Sequence, residues 1–237
     1  MAKKSVIDKY IKQFLEYLEV ERGRTVRTVS NYHFYLTRFS DWAGHPNPGN
    51  ITLDMVRKYR LYLNRDIEGR DDISLKKSTQ NYHLIALRSF LKYLQKCDVK
   101  CLSPQKIELA KQGTRSVAFL EPDELARLRN APDDTPGIIG LRDRAIIEML
   151  FASGMRVSEL SNLKIDQINL KRDEFTVKGK GSKHRVVFLS DDAKKALREY
   201  LAKRRDTSPY LFVSHDRAKN GREANALTPR SIQRTIE

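Results

Sequence analysis

The chain has 237 residues and sets 45 Lys+Arg against 30 Asp+Glu, a formal net charge of +15, with 40% hydrophobic residues. That length holds one large or two modest cores, the interleaved apolar residues exclude wholesale disorder, and no apolar run approaches the ~20 residues of a membrane span. Met1-Ala2-Lys3-Lys4 leads into an amphipathic helix and not a signal peptide, so a cytoplasmic protein with a polyanionic partner is expected. Cys97 and Cys101 stand close together without a second pair, which gives neither a disulfide framework nor a zinc site.

Val6, Tyr10, Phe14, Tyr17 and Leu18 recur at helical steps and predict a helix over 5–20, ended by Glu21-Arg22-Gly23-Arg24. A second helix is expected from Thr28 or Ser30, with Tyr32, Tyr35, Leu36, Phe39 and Trp42 inward and a stop at Gly44. Prolines and a glycine keep 45–50 out of helix. Thr52 opens a third helix with Val56, Tyr59, Leu61 and Leu63 in its core set. Ser74 or Ser78 opens a fourth, with Tyr82, Leu84, Leu87, Phe90, Leu91 and Leu94. Four such helices with short connections predict a compact bundle.

The polar faces of this bundle are the candidate nucleic-acid surface. Arg22, Arg24 and Arg27 precede the second helix; Lys76, Lys77, Ser78, Thr79, Gln80 and Asn81 open the fourth, and Arg88 lies further along it. Helix amino termini with free N–H groups and nearby cations seat phosphates. From 98 to 117 the helical period fails around Pro104, while Lys100, Lys106, Lys111 and Arg115 keep the stretch basic. It reads as an inter-domain linker, with the boundary near 113–117.

Beyond it, Leu120-Glu121-Pro122 introduces a helix to about 130, and 133–140 is rich in turn formers. An apolar helix over 141–153 contains Ala145, Ile146, Ile147, Met149, Leu150 and Phe151, with Gly154 as its left-handed cap. Extended segments are expected at 167–170, 174–178 and 185–189, the last two forming a hairpin across 179–184. Asp191-Asp192 caps a helix to about 205, 210–213 is a short strand or buried segment, and 216–225 is a polar loop. Thr228-Pro229 caps a final helix carrying Arg230.

Two cations carry the chemical reading. Phosphodiester exchange without a metal needs permanent positive charge where the transition state gains negative charge, and a donor that protonates the departing oxygen. Arginine suits the first task because its fork meets two phosphate oxygens at once; lysine, with a shiftable pKa, suits the second. Arg156 stands between the helix-ending Gly154 and the next short helix, and Lys180 sits between two glycines at the hairpin turn.

In this order and spacing, Gly154-Met155-Arg156-Val157-Ser158-Glu159-Leu160, Leu163-Lys164-Ile165-Asp166-Gln167-Ile168 and Val177-Lys178-Gly179-Lys180-Gly181-Ser182-Lys183-His184-Arg185-Val186-Val187 resemble the tyrosine recombinase family of phage integrases and Xer-type resolvases. The resemblance covers the whole chain. It implies a four-helix SAM-like core-binding bundle over 1–113, followed by part of an α+β, mainly helical catalytic domain with a small antiparallel sheet over 114–237. The two are expected to grip duplex DNA from opposite sides. Family chemistry uses a tyrosine to form a 3′-phosphotyrosyl link with loss of a 5′-hydroxyl, and needs no metal, ATP or other cofactor. Arg156 then matches the first catalytic arginine, Lys180 the hairpin lysine, and Glu159 an orienting acidic residue. Lys183, Arg185 and Arg230 join Arg24, Arg27, Lys76, Lys77, Ser78, Thr79, Gln80, Arg88 and Arg115 as expected DNA contacts.

The family's His-x-x-Arg box, a further His or Trp and the nucleophilic tyrosine find no match. Tyr200 and Tyr210 come too early, and His184 and His215 read as surface or loop residues. The resemblance therefore implies a truncated recombinase, monomeric in solution, that binds duplex DNA without cleaving it. Complete members work as four protomers on two sites in the nucleoid of a prokaryote or on phage DNA. Chromosome dimer resolution, integration and mobile-element transfer remain open. A non-catalytic DNA-binding protein derived from a recombinase is the competing reading; a type IB topoisomerase fits less well with a compact bundle and short hairpin.

Overall fold

A computed structural model describes residues 5–67, 74–113, 119–179, 183–215 and 225–237, and the chain divides into two compact units, 1–116 and 117–237. The first holds α1 (Val6–Val20), α2 (Val26–Trp42), α3 (Leu53–Arg65) and α4 (Lys77–Lys96). Ser5, Thr25 and Thr52 each accept a hydrogen bond from a first-turn N–H, which starts the first three helices with side-chain caps. Helix α4 packs on the other three. Its Leu84, Leu87, Phe90, Leu91 and Leu94 close a core with Ile7, Phe14, Leu36, Phe39, Val56, Tyr59 and Leu63.

Helix identities agree with the sequence reading, whereas several faces and starts differ. The inward stripe of α1 is Ile7, Ile11, Phe14 and Leu18, and Val6 is 52% exposed. Large tyrosines at the stripe's edge had shifted the expected phase by one position. Leu61 and Tyr82 are likewise exposed. Helix α2 begins at Val26, two residues before Thr28, with Thr25 as its cap, and α4 begins at Lys77 rather than from a Ser74 or Ser78 cap. Residues Pro48–Asn50 form a 3-10 turn where plain loop was expected.

The stretch read as linker is largely packed against the bundle. Ile107 is fully buried, Val99, Cys101, Leu102 and Leu109 pack on the same core, and Asn81 both donates to the Ala110 carbonyl (2.9 Å) and accepts from its N–H (3.0 Å). Apolar side chains without helical period still find burial when a helix flank offers a backbone anchor.

The second unit contains α5 (Pro122–Asn130), α6 (Ile138–Ser153), α7 (Val157–Ser161), β1 (Glu174–Lys178), β2 (His184–Phe188), α8 (Asp191–Lys203) and α9 (Pro229–Ile236). Strands β1 and β2 pair antiparallel from Glu174↔Phe188 to Lys178↔His184, and their alternation turns Phe175, Val177 and Val187 inward. Those residues join a core built mainly by α6 against α8, with Ile146, Met149, Leu197, Tyr200 and Phe212. Arg129 grips the buried Glu148 carboxylate with two hydrogen bonds (2.8 and 2.9 Å) and reaches Asp192 (2.7 Å), tying α5, α6 and α8 together. Both units thus carry the expected architecture: a helical bundle, then a mainly helical unit with a small antiparallel sheet.

Here too the differences are local. Residues 167–170 form no strand; a 3-10 turn occupies Ile165–Gln167. Ser190, not the Asp191-Asp192 pair, caps α8, and α6 starts at Ile138, three residues early. Phe151 is exposed, lying 5.2 Å from the Arg129 guanidinium carbon instead of entering the core. Tyr210 and Val213 make isolated bridges to Lys164 and Ala226, and most of the expected polar loop, 216–224, lies outside the described residues.

Candidate phosphate-binding site

Helix α6 ends on Gly154, whose left-handed backbone (φ 58°, ψ 27°) closes the last turn with a hydrogen bond to Leu150. Met155 then dives into the core and Arg156 returns to the surface as the N-cap residue of α7, its side chain 62% exposed. Glu159, one turn on, folds back. Its Oε2 accepts from the Arg156 backbone N–H (2.9 Å) and its Oε1 from Arg156 Nη1 (2.9 Å). From β2, Arg185 donates Nη1 to Oε1 (2.9 Å) and Nη2 to Oε2 (2.8 Å).

The Glu159 carboxylate is only 8% exposed and takes four hydrogen bonds from two arginines. The Arg185 fork, and after it Arg156, pull its pKa down to about 2 against the burial that raises it. The group is therefore ionised at any working pH. One edge of the Arg156 guanidinium is held, while the side chain itself faces two open clefts of about 620 and 500 Å³, bordered by Ser158, Asn162, Thr176 and Lys178 and by Gly154, Lys183 and His184. An exposed, oriented guanidinium beside basic neighbours has the chemistry to accept an anion with paired oxygens.

The hairpin reaches this cluster through Gly179. Its N–H donates to the Lys183 carbonyl (2.8 Å), and a Cβ there would stand 3.3 Å from Glu159 Oε1 and 3.4 Å from Arg185 Nη1. Lys180 itself falls in 180–182, outside the described residues. Arg185, expected to contact DNA, has both its terminal nitrogens bonded to Glu159 and a side chain 35% exposed, so its fork is engaged in this cluster. Sequence reading missed this pairing because 26 residues separate the partners. Lys183 is exposed at the hairpin, as is His184 at the start of β2. His215 lies in a loop, one of the two places expected for it, but is half-buried: Nε2 shares a hydrogen bond with the buried Tyr200 hydroxyl (3.0 Å), and burial lowers its pKa.

In the first unit Arg24, Arg27, Lys76 and Lys77 are exposed. Ser78 and Thr79 are half-buried, and Gln80 is occupied, donating to Asn64 Oδ1 (2.9 Å) and the Leu75 carbonyl (2.7 Å). Asn81 is buried on Ala110 and not available to a groove. Arg24, with Arg22, rims a groove that also includes Lys92 and Lys96 at the far end of α4, over Phe14, Tyr17, Tyr32 and Tyr93. The two basic clusters therefore sit at opposite ends of a 20-residue helix, ~30 Å apart at 1.5 Å per residue. Lys77, Arg88, Lys92 and Lys96 share a helical face between them, and Lys92 and Lys96 had escaped the sequence reading although their spacing marks them. Arg88 is half-buried beside Pro104 and Gln105. Arg115 lies outside the described residues, and Arg230 on α9 pairs with Glu237 (2.7 Å).

Comparison with known proteins gives this geometry a family. The phage integrase family matches residues 118–237, and the phage integrase N-terminal SAM-like domain matches residues 11–96. Tyrosine recombinase XerD of Corynebacterium glutamicum is 33% identical over 200 residues, covering 82% of this chain and 65% of the relative. Tyrosine recombinase XerD of Lacticaseibacillus casei is 32% identical over 210 residues, covering 88% and 68%. The chain thus spans about two thirds of the length of the curated relatives it matches. The crystal structure of a lambda integrase tetramer bound to a Holliday junction shares the fold, with a TM-score of 0.68 at 17% identity over 97% of this chain and 64% of that one. With both halves matched and an identity above thirty per cent to relatives of this kind, the chain belongs to the phage integrase family of tyrosine recombinases.

Proposed function

We propose that this chain is the DNA-binding domain and the first part of the catalytic domain of a site-specific DNA recombinase, divided near 113–117, whose complete form breaks and rejoins strands through a 3′-phosphotyrosyl intermediate. The observation that carries the reading is the exposed Arg156 guanidinium, held along one edge by Glu159 and open to basic clefts on the other. Arg156 binds the non-bridging oxygens of the attacked phosphate, Lys180 protonates the departing 5′ oxygen, and Glu159 orients Arg156 without moving a proton. Lys183 and Arg230 assist in the second unit. The face of α4 bearing Lys77, Arg88, Lys92 and Lys96, with Arg24 and Arg27 at one end and Lys76 at the other, follows the duplex backbone.

The partner is double-stranded DNA, with four protomers assembling on paired sites in the cytoplasm; among the described residues no helix is long and apolar enough to cross a membrane. By themselves these 237 residues bind DNA as a monomer without cleaving it. In a longer protein that also carries the nucleophilic tyrosine, a nicked suicide duplex is expected to trap covalent DNA. Arg156→Ala abolishes trapping while most binding remains, and Lys77→Ala weakens binding and lowers the slope of log affinity against log salt by about one. Normal trapping by Arg156→Ala would remove Arg156 from the chemistry.

A further inference from the structure

Glu159 has about four acceptor positions on its two oxygens, and all of them are used. Two go to Arg156, one from its backbone and one from its side chain, and two go to the Arg185 fork. Three charged groups therefore share one small volume, with a surplus of one positive charge. We propose that Arg185 is a positioning residue, which occupies half of the Glu159 carboxylate and so prevents it from closing on Arg156 and consuming the edge of the guanidinium that takes phosphate. The inference rests on the reading of Arg156 as the phosphate ligand.

The physical reason is competition for one carboxylate. If Arg185 is taken away, the nearly buried Glu159 loses two charge-assisted hydrogen bonds and, among the described residues, the cation that stays bonded to it is Arg156. The arrangement that satisfies most lone pairs is then a two-pronged pair with Arg156, which neutralises that guanidinium and turns its free nitrogens inward. With Arg185 in place the cheaper geometry is a single side-chain bond from Arg156, and the rest of its fork stays outside. Gly179 lies against the same cluster: a Cβ there would stand 3.3 Å from Glu159 Oε1 and 3.4 Å from Arg185 Nη1, close enough that a side chain would press on both groups. The strand that carries Arg185 is thereby joined to the helix that carries Arg156.

The test uses the full 237-residue chain, labelled with nitrogen-15, and inorganic phosphate as the probe. The Arg156 Nε–H resonance, assigned by its loss in Arg156→Lys, reports occupancy directly. In the wild type it shifts saturably; in Arg185→Met the apparent affinity falls at least fivefold. Adding Glu159→Gln to Arg185→Met restores most of it, because an uncharged amide does not neutralise Arg156. Arg185→Lys recovers only part, since a point charge cannot fork.

An unchanged affinity in Arg185→Met overturns the proposal. So does a double variant that binds no better than Arg185→Met, which would make Arg185 a direct phosphate ligand. Should Arg185→Met fail to fold, the double variant, which leaves no charged carboxylate buried without its partner, must fold and bind within about twofold of the wild type. An Arg156 resonance that never responds in the wild type defeats the functional reading instead, which separates the two failures.

Discussion

Single residues decide how this protein tolerates acid. His83 is buried, shares a hydrogen bond between Nδ1 and the Tyr59 hydroxyl (3.0 Å), and leaves Nε2 without a partner. Burial, with the Arg38 cation adding to it, lowers its pKa from 6.5 to about 4. Between those values the unfolded chain binds the proton and the folded one does not. Stability from this group is therefore full above about pH 6.5 and is lost as the pH falls toward 4. Urea titrations at stepped pH are expected to show that decline in the wild type and a flatter profile in His83→Gln; equal slopes would assign the loss elsewhere. Glu159 works in a lower window, with stability present above 4.5 and lost toward its folded value of about 2. Neither effect was legible in the sequence: the motif named Arg156 and Glu159, but the bond to Arg185 and the closed pocket around His83 exist only after distant segments meet.

At the scale of elements, periodicity located every α-helix of four turns or more, and the errors follow from physical causes. Aromatic residues at the margin of a stripe, such as Tyr10, Tyr17 and Tyr82, look like core but keep a hydroxyl near water, which moved the inferred faces. Cap residues compete locally, so Thr25 and Ser190 won over neighbours of similar propensity. What the sequence did disclose well is the glycine stop of α6. Gly154 sits in open space, so a methyl group there meets nothing, and only its left-handed backbone opposes substitution. Gly154→Ala should cost about 1 kcal/mol through that strain, read as a lower urea midpoint with an unchanged slope. A change below a few tenths would mean that the turn relaxes. Because the next two residues are Met155 in the core and Arg156 at the surface, the same turn sets the direction in which the guanidinium leaves the protein.

On the scale of the whole molecule, the basic composition pointed to a polyanion but not to the way the chain is partitioned. Two hydrophobic clusters share no residue: one runs from Ile7 to Ile107 and the other from Ala145 to Ile232. The first is completed by the packed stretch around Ile107 and by the Asn81–Ala110 pairing, so it closes within residues 1–116. A unit with its own closed core and capped helices has what it needs to fold alone. Residues 1–116 by themselves are expected to melt in one cooperative calorimetric transition and to bind duplex DNA with a marked salt dependence, since Lys77, Arg88, Lys92 and Lys96 all belong to α4. Lys92→Ala combined with Lys96→Ala should lower the salt slope by about two while costing the fold no more than about 1 kcal/mol, since Lys96 gives up only an exposed ion pair with Glu21 and its place over the Tyr17 ring. A segment that stays unfolded, or that binds with the slope unchanged by the pair, would show that the basic face of α4 is not where the duplex lies. The bundle's own core fixes the spacing of these cations, which is why the proposed contact with a regular phosphate backbone is expected to survive in this unit alone.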